Sequence, residues 1–366
     1  MILHIFNPEH DAALANNDKH FVASHAARLL RTDLDFMPAL YAKPNDLVLV
    51  SDYLSAKKHL KQLEKFAKTY HLVTLDTLQN IKSDITEIRP WAWDKAIKNS
   101  LDNVGISKKL MPTDQELSMI RDVSNRQFSA SVLKALKRSL NLPNIVGEAV
   151  YVNNMKELTL YVKYYKKAIL KAPWSCSGRG IRYIDSLQDA YTTNWAHNII
   201  RKQGGVMIEP FYSRVKDFGM EFYADMSTVD FQGISLFNTT NGAYSGNLIQ
   251  SEDYKLSVLA KYINPDEIIL IKNKLEMLLR QYIAKRYTGP LGVDMMIVAD
   301  EKHKKAKKPS FFIHPMVEIN MRCTMGHVAL KLSKTPEAIG KIMLTEYDGS
   351  HYHLRLSQHN TELFSL

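Results

Sequence analysis

The first third of the chain alternates short apolar runs with amphipathic stretches. The apolar runs are "MILHIF", "DLVLVS" and "HLVTLD", and the stretches between them, "SHAARLLRTDLDFM" and "SAKKHLKQLEKFAKTY", carry apolar residues at helical spacing. Strands that alternate with helices in this way are typical of a parallel sheet with crossover helices. The pattern predicts a Rossmann-like unit, to which we assign residues 1–112.

The pattern changes in the remainder of the chain. A helical stretch that starts in "PTDQEL" leads into the β-like segments "KAILKAP", "GIRYI" and "GGVMIEPF", with the helical "NWAHNIIRKQ" among them. The strands "DFGMEFYAD" and "VDFQGISLFN" follow, then a long helix in "PDEIILIKNKLEMLLRQYIAKRY", and finally "LGVDMMIVAD" and "FFIHPMVEINM". We therefore expect an α/β protein whose remaining part is of the α+β type. We divide that part into two units, residues 113–205 and residues 206–366.

The loop after the first predicted strand reads "NPEHDAALANN", and it lacks the G-x-G-x-x-G pattern of dinucleotide-binding proteins. Open α/β sheets usually bind ligands at the carboxyl ends of their strands. Glu9, His10 and Asp11 are therefore candidates for a substrate site. The alternative is that they cap the following helix or occupy a turn.

Composition and charge narrow the class of protein. The formal net charge of +10 and the pI near 9.2 favour a polyanionic partner, from nucleic acid to a nucleotide triphosphate. No apolar run of about 18 residues and no basic, apolar leader occur, and the chain has only two cysteines, Cys176 and Cys323. We expect a cytoplasmic protein without a membrane partner, a disulfide framework or a four-cysteine zinc site.

A loop suited to phosphate lies in "ILKAPWSCSGRGI". Lys171 ends an apolar strand, and a loop rich in serine and glycine follows it. Backbone N–H groups of such a loop can surround phosphate oxygens while the lysine supplies a compact positive charge. It is not a Walker A loop, since no helix-opening G-K-[ST] is present, and an ordinary tight turn is the alternative. The loop residues concerned are Ser175, Ser177, Gly178, Arg179 and Gly180.

The segment "GGVMIEPFYSRVKDFGMEF" combines an apolar strand, a polar bend and a second strand that contains Asp217. A nucleotide base needs an apolar slot with backbone donors and acceptors, and a ribose needs a carboxylate to accept its hydroxyl hydrogens. This segment could supply both. The alternative is a β-hairpin with a charged turn.

Three polar residues share one face of the last predicted strand. In "HPMVEINMRC", Glu318, Asn320 and Arg322 are two residues apart, and side chains at that spacing point the same way along a strand. Asp294 lies within the neighbouring apolar strand "GPLGVDMMIV", where an unpaired carboxylate would be destabilising. Oxygen ligands from Asp, Glu and Asn suit Mg²⁺, and Mg²⁺ implies phosphate. A strand-end cap and an exposed edge-strand face are the alternatives.

Taken in this order, the motifs resemble those of the ATP-grasp family over about residues 115–345, and the Rossmann-like unit resembles the domain that precedes them in that superfamily. The resemblance implies that Lys171 and the serine–glycine loop bind ATP phosphates. It implies that the adenine hinge includes Met207, Glu209 and Phe211, and that Asp217 or the competing Glu221 binds the ribose. The residues implied for magnesium are Asp294, Glu318 and Asn320; Arg322 lies by the transferred phosphoryl group, and Arg126 stands where a phosphate-binding lysine is usual.

The resemblance further implies a carboxylate–amine ligase that uses ATP and Mg²⁺, with a small-molecule carboxylate and an amine as partners. Such an enzyme activates the carboxylate as an acyl-phosphate. A small-molecule kinase of the same fold is an alternative, as is a non-catalytic ATP sensor. A basic nucleic-acid-binding protein is the alternative from another class, although aromatic and basic residues are not interleaved and no nucleic-acid-binding module is present. No pattern identifies the acid or the nucleophile, and none predicts the oligomeric state.

Overall fold

The structure is a computed structural model that describes residues 1–67, 70–175, 180–187, 189–240, 243–300 and 310–358. Within these residues it contains three β-sheets, of four, seven and four strands. Helices flank them. The order of elements agrees with the predicted α/β class.

The N-terminal sheet is parallel throughout, with strand order β3-β2-β1-β4. Apolar residues of its strands, such as Leu3 and Val48, are fully buried, as both-sided burial of a parallel sheet requires. The fourth strand was not predicted, because "EIRP" is short and polar at every second position. The elements are β1 (Ile2–Ile5), α1 (His10–Asn16), α2 (His25–Leu34), β2 (Leu47–Leu49), α3 (Tyr53–Gln62), β3 (His71–Val73), α4 (Leu75–Ile81), β4 (Glu87–Pro90) and α5 (Lys95–Asn103).

The middle of the chain forms two helices and an antiparallel sheet of order β5-β8-β6-β7. The first helix begins at the predicted start signal, where Thr113 and Glu116 form a reciprocal capping box. The elements are α6 (Asp114–Val123), α7 (Arg126–Leu140), β5 (Val150–Val152), α8 (Met155–Tyr165), β6 (Ala168–Lys171), β7 (Ile181–Ile184), α9 (Ala190–Gln203) and β8 (Val206–Pro210).

The C-terminal part contains the seven-stranded sheet, with strand order β13-β12-β9-β10-β11-β14-β15 and antiparallel pairing. The final two strands were not predicted. The elements are β9 (Arg214–Ala224), β10 (Val229–Thr240), β11 (Ala243–Ile249), α10 (Glu252–Leu259), α11 (Pro265–Ile283), β12 (Gly289–Ala299), β13 (Phe311–Asn320), α12 (Met325–Leu332), β14 (Lys341–Tyr347) and β15 (Tyr352–Gln358).

Packing joins segments that are distant in sequence. Buried residues of α6, α7 and α11 form one core with the strands of the large sheet. A second core joins the N-terminal unit to α12 and β14, for example through Phe6, Val328 and Met343. Helices α6, α7 and α11 therefore pack against the large sheet, and the N-terminal unit packs against α12 and β14. The division at residues 112/113 and 205/206 stays a prediction.

The outer edge of β13 is covered by other parts of the chain. The Ile313 backbone N–H donates to the Asn144 carbonyl, and the Val146 N–H donates to the Ile313 carbonyl. Farther along, the Ile319 N–H donates to Ser129 Oγ at 3.0 Å. Backbone groups that an edge strand would otherwise expose are thus paired at both ends of β13.

Candidate functional site

Polar residues of three neighbouring strands, β9, β12 and β13, share one face of the large sheet. Asp294 on β12 pairs directly with Glu318 on β13. Two residues away, Gly292 pairs with Asn320 on one side and with Glu221 of β9 on the other. Because side chains alternate along a strand, Asp294, Glu318, Asn320 and Glu221 all point toward the same face. The sequence predicted this convergence for the first three residues and left the place of Glu221 open.

Hydrogen bonds and burial hold this cluster together. Asn320 Nδ2 donates to Asp294 Oδ2 at 3.0 Å, and Arg322 Nη2 donates to Asn320 Oδ1 at 2.8 Å. Burial, and secondarily the negative charges of Glu318 and Glu221, raise the pKa of Asp294 to about 7. The strand ends at Asn320, so Arg322 reaches the cluster from the following bend rather than from the strand.

The donor set of this cluster is chemically suited to a magnesium ion. Like charges directly opposite each other on neighbouring strands are destabilising, and a cation between Asp294 and Glu318 would relieve that repulsion. Two carboxylates and an amide oxygen are hard ligands of the type that Mg²⁺ prefers. Among the described residues, no group of three or more His, Cys, Asp or Glu side chains has metal-binding geometry. The fit therefore rests on donor chemistry, and the three predicted ligands stay a prediction.

Arg126 lies between this cluster and the start of the predicted phosphate loop. Its Nε and Nη2 donate to Glu318 Oε2 at 2.9 and 2.6 Å. Its Nη1 donates to the Ala172 carbonyl at 2.7 Å and to Ser175 Oγ at 2.6 Å. Burial alone would lower the pKa of this guanidinium, but the charge of Glu318 raises it, so Arg126 is a fixed cation.

These contacts leave little space at the cleft. A pocket of about 10 Å³ lies among Asp11, Arg126, Ser175 and Glu318. Its walls come from the N-terminal unit, α7, the loop after β6, and β13. Four separate segments thus meet at the point where the sequence predicts phosphate and metal.

Lys171 and Glu209 form a buried ion pair. Lys171 Nζ lies 2.6 Å from Glu209 Oε2, and both side chains are less than a tenth exposed. Lys171 pairs with Met207 across β6 and β8, which places the predicted phosphate lysine beside the predicted hinge strand. The sequence assigned the two charged groups to opposite ends of a nucleotide and did not foresee their contact. Both assignments stay predictions.

The two ends of the predicted phosphate loop are hydrogen-bonded to each other. The Ala172 N–H donates to the Gly180 carbonyl at 2.9 Å. Any Cβ at Gly180 would overlap Ser175 Oγ, so this close approach requires glycine. Of the other predicted loop residues, Ser177, Gly178 and Arg179 lie outside the described residues.

The hinge residues extend past the end of β8. Met207 is fully buried, whereas Phe211 follows the strand, is 48% exposed and contacts the ring of Tyr183. Asp217 lies on β9, where its Oδ2 accepts hydrogen bonds from Arg214 Nη1 at 2.9 Å and Thr239 Oγ1 at 3.0 Å. Burial raises the pKa of Asp217. Its contact with a ribose stays a prediction.

The loop after β1 reaches the same cleft. Asp11 Oδ2 lies 3.3 Å from Arg322 Nε. This ion pair joins the N-terminal unit directly to the residue that the sequence places beside the transferred phosphoryl group. Glu9 and His10 point elsewhere: Glu9 pairs with Arg31 at 2.6 Å, and His10 is buried with its Nδ1 3.6 Å from Asp94 Oδ2.

Sequence reasoning missed a buried network around Glu221, beside the cluster. Thr324 Oγ1 donates to Glu221 Oε2 at 2.9 Å, and His327 Nδ1 lies 3.1 Å from the same oxygen. Thr324 and His327 also form the capping box that starts α12. Burial raises the pKa of Glu221 to about 7 and lowers that of His327 to about 4. The one available signal was Thr324 three residues before His327, which is a helix-start pattern.

Glycine makes room for this network. A Cβ at Gly292 would lie 2.6 Å from Glu221 Oε2, and one at Gly326 would overlap the other carboxylate oxygen. Glu221 is therefore enclosed by backbone as well as by side chains. We infer that Glu221 joins the start of α12 to β9 on the face of the sheet that carries the cluster.

No protein-family model matches the chain, and no curated protein matches it. Solved structures do. Biotin carboxylase from Campylobacter jejuni, solved as a β,γ-ATP complex, matches with a TM-score of 0.50 at 14% identity over 96% of this chain and 73% of its own. A biotin carboxylase domain from Hydrogenobacter thermophilus has a TM-score of 0.49 at 14% identity over 90% and 68%. A protein assigned to the ATP-grasp superfamily from Archaeoglobus fulgidus has a TM-score of 0.46 at 12% identity over 98% and 100%.

The described residues thus form a mixed α/β protein in which antiparallel sheets meet at a polar cleft beside a parallel sheet. More particularly, the chain has the ATP-grasp fold, as its motifs predict. In the described part of the chain, no helix combines the length and the apolar character needed to cross a membrane.

Proposed function

We propose that the chain is an ATP- and Mg²⁺-dependent ligase that activates a carboxylate as an acyl-phosphate for attack by an amine. One observation carries the proposal: the facing carboxylates of Asp294 and Glu318 lie within a cleft that also holds Arg126 and Arg322. Facing acids beside fixed cations suit a site that binds phosphate groups together with a divalent ion.

The roles we assign follow the positions of the charges. Lys171, Arg126 and the start of the serine–glycine loop hold the ATP phosphates, and Arg322 lies by the phosphoryl group in transfer. Asp217 binds the ribose in preference to Glu221, because Oε2 of Glu221 is already in contact with Thr324 and His327. Asp217 also lies nearer to the hinge along β9.

The chain's own groups can supply the rest of the chemistry. Asp294, Glu318 and Asn320 would hold Mg²⁺, which when bound neutralises charge on the phosphates. Phosphoryl transfer depends mainly on positioning and charge cancellation, so no nucleophilic side chain is required. An acyl-phosphate is hydrolysed by water, so the site has to close over this intermediate during the reaction.

The partners of the proposed reaction are a small carboxylate and an amine, with ATP as the nucleotide that the C. jejuni biotin carboxylase fold also accommodates. The presence of only two cysteines supports a cytoplasmic setting.

The test is a screen of carboxylates and amines in pairs, with ADP and phosphate release measured at each combination. A ligase releases phosphate only when acid and amine are both present. Release of ADP with a single hydroxyl substrate, and formation of a stable phosphate ester, would instead identify a kinase. Affinity for nucleic acid that falls steeply with salt and ignores ATP would favour the remaining class.

The matching variant is Glu318→Gln, which removes a predicted ligand and keeps the side-chain volume. We expect it to abolish Mg²⁺-dependent turnover, a loss of about 100-fold or more, while circular dichroism stays unchanged. Glu346→Gln, on the half-exposed surface of β14, is the control. Normal turnover by Glu318→Gln would reject the proposed site.

A further inference from the structure

A cavity of about 350 Å³ lies wholly within the N-terminal unit, away from the residues assigned above. Its walls come from the loop after β1, the segment that leads into α2, α2 itself and α5. The volume is in the range of small-molecule sites. The lining mixes apolar side chains such as Phe21 and Ile97 with charged and amide groups.

One wall of the cavity has a carboxylate oxygen with no partner. The Glu9 side chain is only 9% exposed, and its Oε1 accepts a hydrogen bond from Arg31 Nη1 at 2.6 Å. Its Oε2 is buried and makes no hydrogen bond to any residue that the structure describes. Leaving a buried acceptor unpaired costs about 1–3 kcal/mol, so this atom calls for a donor from a ligand.

Lys19 and Arg28 contribute positive charge to the lining of the same cavity. Neither forms an ion pair with an acidic side chain of the described residues, and Arg28 Nη1 donates only to the Ala23 carbonyl, at 2.7 Å. The second acid of the lining, Asp94, is already used, since its Oδ1 accepts the Ala96 and Ile97 N–H groups and its Oδ2 accepts from Asn7. The cavity therefore has positive charge available for an anion.

We propose that this cavity binds a small zwitterion of the α-amino-acid type, with its ammonium group on Glu9 Oε2 and its carboxylate on Arg28 and Lys19. The free acceptor and the free cations lie on the lining of one cavity, so a single ligand with a donor and an anionic group satisfies both. The apolar part of the lining receives the remaining side chain.

The place of the cavity in the fold links it to the cleft. Glu9 lines the cavity, and Asp11, two residues later, contacts Arg322 at 3.3 Å. Two residues span at most about 7 Å, so one short turn forms a wall of both spaces. That the bound amino acid is a substrate rests on the ligation proposed above; its binding does not.

The test is isothermal titration calorimetry of the full chain without nucleotide, using the individual L-amino acids as probes. For the tightest binder, the decarboxylated amine, the corresponding acid without its amino group, and inorganic phosphate are titrated in parallel. We expect one or more amino acids to bind and each analogue to bind at least about tenfold more weakly, because each lacks one of the two charged groups. Failure of all amino acids to bind, or equal binding of the deaminated acid or of phosphate, overturns the proposal.

Variants test the location. Arg28→Gln and Lys19→Gln lie on exposed positions and should each raise the dissociation constant about tenfold, and Glu9→Gln should raise it as well. Arg138→Gln on α7 and Lys58→Gln on α3, both exposed and outside the cavity, are the matched controls. Unchanged affinity in both Arg28→Gln and Lys19→Gln would place the amino acid elsewhere and overturn the proposal.

The two proposals can fail separately. Calorimetry without ATP reports on the cavity alone, and ATP-dependent phosphate release with the same amino acid reports on ligation. Binding without any turnover would support the cavity and reject its role in ligation. Turnover that Arg28→Gln and Lys19→Gln leave unchanged would reject a role of the cavity in ligation, while the ligase function stands and binding is still decided by calorimetry.

Discussion

The cleft at Glu318 and the cavity at Glu9 differ in whether their charged side chains are paired within the protein. In the cleft, Arg126 is bonded to Glu318, Ala172 and Ser175, and about 10 Å³ of space is left. In the cavity, a carboxylate oxygen is unpaired and about 350 Å³ is open. The first region satisfies its charges internally, whereas the second leaves some of them for a ligand.

A ligand therefore meets different conditions in the two regions. A nucleotide that enters the cleft has to exchange existing contacts, so its net affinity is the gain over the Arg126–Glu318 pair. A ligand of the cavity adds contacts that the chain lacks. We therefore expect substitutions in the cleft to change stability and function together, and substitutions around the cavity to change binding with smaller changes in stability.

The largest expected effect is on the free energy of unfolding, and it is seen by comparing one arginine variant from each region. Arg126→Gln removes a buried cation from Glu318, and we expect it to lower the free energy of unfolding by about 3–5 kcal/mol. Arg31 is 41% exposed, so Arg31→Gln should cost only about 1–2 kcal/mol. Urea unfolding followed by circular dichroism measures both. Equal losses in the two variants would break the contrast between the regions.

A second effect concerns the buried pair at the hinge. Lys171→Ala should weaken ATP binding by about 10- to 100-fold, because a charge-assisted contact contributes about 1.5–3 kcal/mol. The substitution also leaves Glu209 buried without its cation, so the melting temperature has to be measured beside the dissociation constant. Lys171→Arg keeps the charge and serves as the folded comparison. Unchanged ATP affinity in Lys171→Ala would remove the lysine from the proposed site.

The smallest effect is a pH dependence from the cleft side of the large sheet. His314 on β13 is 2% exposed, and burial lowers its pKa to about 3. The folded pKa lies below the unfolded value of about 6.5, so the unfolded state binds more protons and stability falls as the pH drops below about 6.5.

His314→Leu removes this loss. We expect the variant to gain up to about 2 kcal/mol relative to the wild type between pH 7.5 and pH 5, measured by urea unfolding at each pH. Only the change with pH is attributed to the proton, since the new side chain packs differently at every pH. A difference between the two proteins that is constant over this range would contradict the interpretation.

The fold was predictable where periodicity is strong. The long helix at Pro265–Ile283 and the strand at Phe311–Asn320 fall within the stretches that the pattern predicts, and the strand at Gly289–Ala299 closely overlaps its predicted stretch. The α/β class and the ATP-grasp fold are confirmed. Short or polar elements such as β4 were not predicted, because four residues are too few to define a hydrophobic period.

The site was predictable as a set of residue types but not as a set of contacts. Alternation alone placed Glu318 and Asn320 on one face, and β12 supplied Asp294 opposite them. The register of β12 on β13 shifts between Asp294 and Met296, and such an irregularity cannot be counted from periodicity. The contacts of Arg126 with Glu318 and of Asp11 with Arg322 join residues 192 and 311 positions apart, beyond any local pattern.

The hydrogen bonds at the outer edge of β13 have a consequence for the register that this strand adopts on folding. A slip by a single residue would exchange Ile319 for its polar neighbours, so the acids would enter the core and the isoleucine would enter the cleft. Ser129 and the segment at residues 144–146 hold the strand from outside at Ile319 and Ile313, which forbids that slip. Helix α7, which begins with Arg126 and contains Ser129, thus helps to fix the register of β13 and so determines which of its side chains face the reactants.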